Sequence, residues 1–263
     1  MGFPVRRQSD FTMQYSLIGL FLLVLVLVFA HSVETVLGFG ASIIAMAIGV
    51  YILPLSTMIA VVAMLGLLQS IWLVTRWFRY LQWRVLLLKI LPAAAIGMAI
   101  GIYYRTQVAS IRQLVIVLGI FIMAVSILEI VLIYRTRAAG GALPWYLGWP
   151  ILLVGGIVHG IFALGSPLVV YYSSREIKEP GEFRATMSML WLILNVALVA
   201  SLFTVGQINL DTLSITGIVL PGLIVGIFVG SRMKFRTLPF KVLIYILLFV
   251  AGLLMFVQQL IAQ

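Results

Sequence analysis

Six stretches of about 20 consecutive, mostly apolar residues leave this chain few folds to choose from. They lie at roughly 56–75, 86–104, 113–134, 185–205, 213–231 and 240–260. They do not alternate with period two, as the strands of a membrane barrel would over about ten residues. Leu17 to Ala30 and Val242 to Val257 are apolar on every face. Hydrophobic residues make up 63% of the chain and charged residues 9%, more apolar surface than a soluble core of 263 residues can bury. In lipid the backbone must satisfy its own hydrogen bonds. The expectation is an all-α, polytopic helical membrane protein.

The chain also reads as two copies of one plan. Gly38-Phe39-Gly40-Ala41-Ser42 recurs, weakened, as Ala163-Leu164-Gly165-Ser166-Pro167, an offset of 125 residues. Each copy is followed by a Pro-Gly pattern, Pro92, Gly97 and Gly101 in the first and Pro221, Gly226 and Gly230 in the second, offset by 129. This predicts a first repeat over 1–138 and a second over 139–263 within a single membrane domain. The six spans divide three and three. Each trio is preceded by a glycine-broken apolar stretch, 12–53 and 146–174, read as a re-entrant hairpin of two short helices meeting at depth. A returning hairpin plus three spans crosses an odd number of times and inverts the second half. Charge supports this: in the inverted arrangement twelve Lys and Arg residues, among them Arg76, Arg79, Arg84, Arg184 and Arg232, fall on one face, the cytoplasmic one. Arg6 and Arg7 fall on the other, against their usual preference. The first apolar segment is expected to be retained as a helix, because no small-x-small cleavage pattern follows it.

The net charge of +10 comes from short clusters between apolar segments. It suits anionic lipid headgroups rather than nucleic acid. The chain has no cysteine, which excludes disulfides and thiolate chemistry. No Walker loop, zinc pair or dinucleotide fingerprint occurs, so no metal and no cofactor is expected.

The breaks are the places where chemistry is expected. A helix starting at Ser42 or Ser166 would present unpaired N–H groups and a positive dipole end. Gly40 and Gly165 would let the backbone approach a ligand, and Pro167 suits a first helical turn. Two such starts facing each other would hold an anion without a buried lysine. The reading therefore takes Gly40, Ala41, Ser42, Gly165, Ser166 and Pro167 as substrate-binding, against the plainer view that the glycines only pack helices. Gln69 and Asn195, in corresponding mid-membrane helices, either line the pathway or bridge helices. Glu34 aligns with His159. Each is a candidate for a coupling proton, or alternatively a hydrogen-bonding partner for a broken helix end. His31 is read as an interfacial or structural partner, Trp72 and Trp191 as lipid-facing or packing residues, and Glu129 as an ion-pair partner of Arg135.

His159-Gly160, the break at 163–167, the helix entry Phe183-Arg184-Ala185-Thr186, the mid-helix Asn195 and the paired Pro-Gly segments resemble the sulfite exporter TauE/SafE family of membrane permeases. The resemblance covers most of the chain. It implies a secondary transporter, not an enzyme, in the bacterial cell inner membrane, exporting small sulfur-containing anions such as sulfite or organosulfonates. It also tips Arg184 and Thr186 toward a substrate role. Alternating access by rocking of the two halves about a midplane anion site is the expected mechanism. An intramembrane serine protease using Ser42 and His159, and an anion channel, are the alternatives. Expected partners are a small anionic substrate, lipids and a coupling proton. The oligomeric state is left open, with a homodimer as one option.

Overall fold

A computed structural model describes residues 16–107, 110–135, 143–164, 167–233 and 238–261. The predicted repeat junction at 138/139, the Arg6-Arg7 pair, Gly165 and Ser166, and the side chains of Glu129 and Arg135 lie outside the described residues.

Among the described residues ten α-helices follow in order: α1 (Leu17–Leu37), α2 (Ala41–Gly49), α3 (Leu55–Trp77), α4 (Leu91–Gln107), α5 (Ile111–Arg135), α6 (Trp145–Phe162), α7 (Pro167–Glu176), α8 (Pro180–Thr204), α9 (Leu210–Arg232) and α10 (Leu238–Ile261). A 3₁₀ turn at Phe78–Tyr80 and a π turn at Val85–Ile90 lead into α4. The wider π turn sits just ahead of Pro92, whose ring and missing N–H do not fit a regular α-turn. No strand occurs among the described residues. Seven of the described helical segments are long and apolar enough to cross a bilayer. Large side chains such as Leu17, Ile18, Leu88 and Phe228 stand exposed on their outer faces, where lipid is the solvent. The chain is a multi-pass helical membrane protein.

Both breaks are present, and in each the arms are unequal. Helix α1 has 21 residues and α6 has 18, each long enough to span, while α2 has 9 and α7 has 10. Two short arms were expected because an apolar run does not mark where a helix stops relative to the membrane surface. Helix α2 folds back along α1: Leu23 packs beside Gly49, and Ile52 beside Gly19.

The four most extensive helix pairings are α4 with α6, α1 with α9, α5 with α10, and α3 with α8. Exchanging each helix for the one five places along returns the same four pairs. Helices α1 and α9 run parallel, since Gly222, Gly226 and Gly230 meet Val24, Val28 and Ser32 in turn. Helices α4 and α6 also run parallel, with Gly97 and Gly101 set on the carbonyls of Leu153 and Ile157, and Gly156 and Gly160 on those of Ala94 and Met98. Helices α3 and α8 run antiparallel: Gly66 meets Asn195 near their middles, and Thr186 at the start of α8 accepts from the Gln82 N–H beyond the end of α3 at 3.1 Å. The two Pro-Gly segments are thus the small-residue seams through which α4 grips α6 and α9 grips α1. Close backbone approach of this kind drives association in lipid, where apolar burial does not. Ser32 ties one seam further, its hydroxyl donating to Gly226 O at 3.0 Å.

Candidate functional site

Helix α1 ends at Gly38, which takes the left-handed φ of 85° and turns its N–H onto Glu34 O at 2.6 Å. Helix α6 ends at Ala163, which takes φ 57° and turns its N–H onto His159 O at 2.8 Å. The two breaks share one local geometry, and Glu34 and His159 hold the same place in it. Each side chain then reaches the returning chain. Glu34 Oε2 accepts from the Ala41 N–H at 3.0 Å, and His159 Nδ1 lies 3.0 Å from Leu164 O. A carbonyl only accepts, so Nδ1 of His159 carries the proton and Nε2 presents a bare lone pair.

The first amide of α2 therefore donates to a carboxylate from the same hairpin. An anion drawn to this helix start meets the Glu34 charge there, unless Glu34 is protonated or moves aside.

Glu34, Gly40, Ala41, Ser42, His159 and Asn195 all line one buried cavity of about 20 Å³. That is room for a water molecule and not for a sulfonate, so ligand entry requires the surrounding helices to move. His31, Gly66 and Trp191 also line it. His31 was expected to be an interfacial or structural partner and Trp191 a lipid-facing or packing residue. The imidazole of His159 stacks on the Trp191 indole with ring centroids 5.4 Å apart. His31 Nδ1 donates to Gln69 Oε1 at 2.5 Å, which again leaves Nε2 as the bare nitrogen. His31 Nε2, His159 Nε2 and Trp191 Nε1 are all buried and have no hydrogen-bond partner among the described residues. A hydrogen-bonding group left unpaired in a low-dielectric interior is costly. Three residues with such a nitrogen line the one cavity.

The remaining candidates lie elsewhere. Gln69 is fully buried outside the cavity wall. Its amide donates to His31 O at 3.2 Å and to Thr35 Oγ1 at 3.1 Å, so it bridges α3 to α1. Pro167 opens α7 at its first position and is buried. Thr186 is the acceptor for Gln82 and lines neither this cavity nor the larger one beside it. Arg184 donates from Nη2 to Val36 O at 2.7 Å and lies over the Trp77 ring at 5.0 Å. A cation at the last carbonyls of α1 complements the negative end of that helix. Arg105, at the end of α4, is 6% exposed.

Ser42 and His159 line the same cavity, as a protease would require. However, a Ser–His dyad needs the hydroxyl on the imidazole, and His159 Nε2 has no partner among the described residues.

A bundle of broken helices closed around a buried polar cavity defines a membrane permease. The model of the family Sulfite exporter TauE/SafE matches residues 23–255, and the chain belongs to that family of membrane transporters. It is 29% identical over 167 residues to the Probable inner membrane transporter protein TsaS of Comamonas testosteroni, a match covering 62% of this chain and 66% of that protein. It is 24% identical over 206 residues to the Probable sulfite/organosulfonate exporter TauE of Cupriavidus necator, covering 76% of this chain and 78% of the relative. The chain thus spans just under two thirds of the first relative's length. No solved structure matches the chain.

Proposed function

We propose that the chain exports small sulfur-containing anions, sulfite or organosulfonates, across the bacterial inner membrane by alternating access around the cavity between the two hairpins. The names of its two relatives point to the compartment and the substrate class. The observation that carries the proposal is that three residues lining one cavity, His31, His159 and Trp191, each have a buried ring nitrogen (Nε2, Nε2 and Nε1) without a protein partner among the described residues. The inverted arrangement of the halves is supported by the antiparallel run of the counterpart helices α3 and α8 and by the two parallel cross-pairs.

The same geometry favours coupling to a proton. No lysine or arginine lines the cavity, while the Glu34 carboxylate does. Two like charges about 4 Å apart repel by roughly 4 kcal/mol at an effective dielectric of 20. An anion therefore enters with a proton, taken up by Glu34 or by the bare nitrogen of His159, which then becomes a donor. Anion binding tightens as pH falls, by up to about tenfold per pH unit above the titration of the group.

The test is flux in proteoliposomes using radiolabelled ethanesulfonate, which stays a monoanion across the range, beside sulfite, which itself titrates. Wild-type flux at low substrate is expected to fall as pH rises. Glu34→Gln keeps the hydrogen bond to the Ala41 amide and removes the charge. It is expected to bind sulfonate more tightly at high pH and to flatten the profile. If no sulfur anion moves under any gradient, the substrate assignment fails. If flux is indifferent to pH in both proteins, only the proton coupling fails.

A further inference from the structure

Beside the central cavity, on the face that carries Arg76, Arg184 and Arg232, lies a second and larger one of about 180 Å³. We propose that it is a separate oxyanion site, built for a sulfonate or phosphate group, where the exported anion docks before it reaches the centre; the docking role rests on the function proposed above.

Arg76 and Arg184 line the cavity together with the hydroxyl residues Thr35 and Ser231 and the indoles of Trp72 and Trp77, and no acidic side chain lines it. The Thr35 and Ser231 hydroxyls already donate to His31 O and Phe228 O, so the donors left for an oxyanion are the forked N–H groups of the two guanidiniums, with aromatic walls for an organic tail. One of the cations is pre-positioned. Arg184 is held by its bond to Val36 O at 2.7 Å and by the Trp77 face at 5.0 Å, so it loses little freedom when a ligand arrives. The cavity has room for an organosulfonate, which the central one of about 20 Å³ does not.

The two cavities share no lining residue, and the last turn of α1 is the wall between them. Glu34 faces the central cavity, while Thr35 and Val36 face the outer one. Gln69 links the two sides, with its amide on Thr35 Oγ1 at 3.1 Å and its carbonyl on His31 Nδ1 at 2.5 Å. An anion at Arg76 and Arg184 thus lies across the last turn of α1 from the central cavity.

Equilibrium dialysis of radiolabelled ethanesulfonate against the purified full-length protein tests this directly. Wild type is expected to bind two anions per chain. Arg76 is exposed, so Arg76→Gln leaves the fold intact. It is expected to weaken one of the two sites at least tenfold, with recovery in Arg76→Lys. In proteoliposomes Arg76→Gln is expected to raise KM about tenfold from the basic face only, at unchanged kcat. Competition by inorganic phosphate, and separately by phosphatidylglycerol vesicles, distinguishes a soluble anion from a lipid headgroup. Displacement by the vesicles alone would make the site a lipid site and overturn its docking role. A single bound anion that Arg76→Gln does not affect, or a KM that rises equally from both faces, overturns the site itself. If wild type carries no sulfur anion but its binding still depends on Arg76, the transport proposal fails and the site stands.

Discussion

Leucine in place of Gly156 is expected to abolish the folded protein, with loss of the monodisperse species on size-exclusion chromatography after detergent extraction. A Cβ at Gly156 would lie 2.1 Å from Ala94 O and 2.8 Å from its carbonyl carbon. These are backbone atoms of a facing helix, and no rotamer change removes them. The same holds along the seam, where a Cβ would lie 2.1 Å from Leu153 O at Gly97, 2.2 Å from Ile157 O at Gly101 and 2.3 Å from Met98 O at Gly160. Relief requires α4 and α6 to separate along their length and forfeit the packing that joins them in lipid. Overpacking a tight core costs about 1–3 kcal/mol even where side chains can adjust. Here they cannot, and total stabilities are only about 5–15 kcal/mol. Gly217 is the control: a Cβ there meets nothing within 4 Å. Gly217→Ala is expected to extract and elute as wild type, with helix propensity adding up to about 1 kcal/mol. Normal behaviour of Gly156→Leu would mean that α4 and α6 are not in this contact.

Asparagine at position 159 is expected to cut sulfonate flux about a hundredfold while leaving thermal stability near wild type. An asparagine amide can occupy the place of Nδ1 and keep the bond to Leu164 O that braces the second break. What it cannot do is accept a proton where Nε2 stands. A hydrogen bond from a charged donor contributes about 1.5–3 kcal/mol, which corresponds to roughly one to two powers of ten in flux. His159→Ala loses both functions and is expected to be destabilised as well, because the 1% exposed ring leaves a cavity beside Trp191. Wild-type flux with an unchanged pH profile in His159→Asn would remove His159 from the coupling scheme.

The sequence made the two breaks legible because backbone geometry at a break is local. The offset of 125 that aligned Glu34 with His159 and Gly38 with Ala163 reappears as two turns of one conformation, and Ala163 holds it without being a glycine. The Pro-Gly segments were legible as a pattern, but their use as cross-half seams was not, since nothing in a single strand of sequence says which helix a glycine will face. Hydropathy placed α8 at 185–205 although it begins at Pro180, because Pro180, Glu182 and Arg184 dilute the first turns of a helix that starts in the polar zone. Other features depend on partners distant in the chain. The His31–Gln69 bond spans 38 residues and the Arg184–Val36 bond 148. Gln69 offered donor and acceptor to either of two roles, and the fold uses it as a bridge. The remaining candidates, Gly165 and Ser166, lie outside the described residues.

The glycine seams also determine what can move. Helix α1 is locked backbone-to-backbone against α9, and α6 likewise against α4. A movement that widened the central cavity while keeping both seams shut would have to carry each locked pair as a single beam. It would fall instead at the antiparallel meeting of α3 and α8, where Gly66 touches Asn195 in the cavity wall.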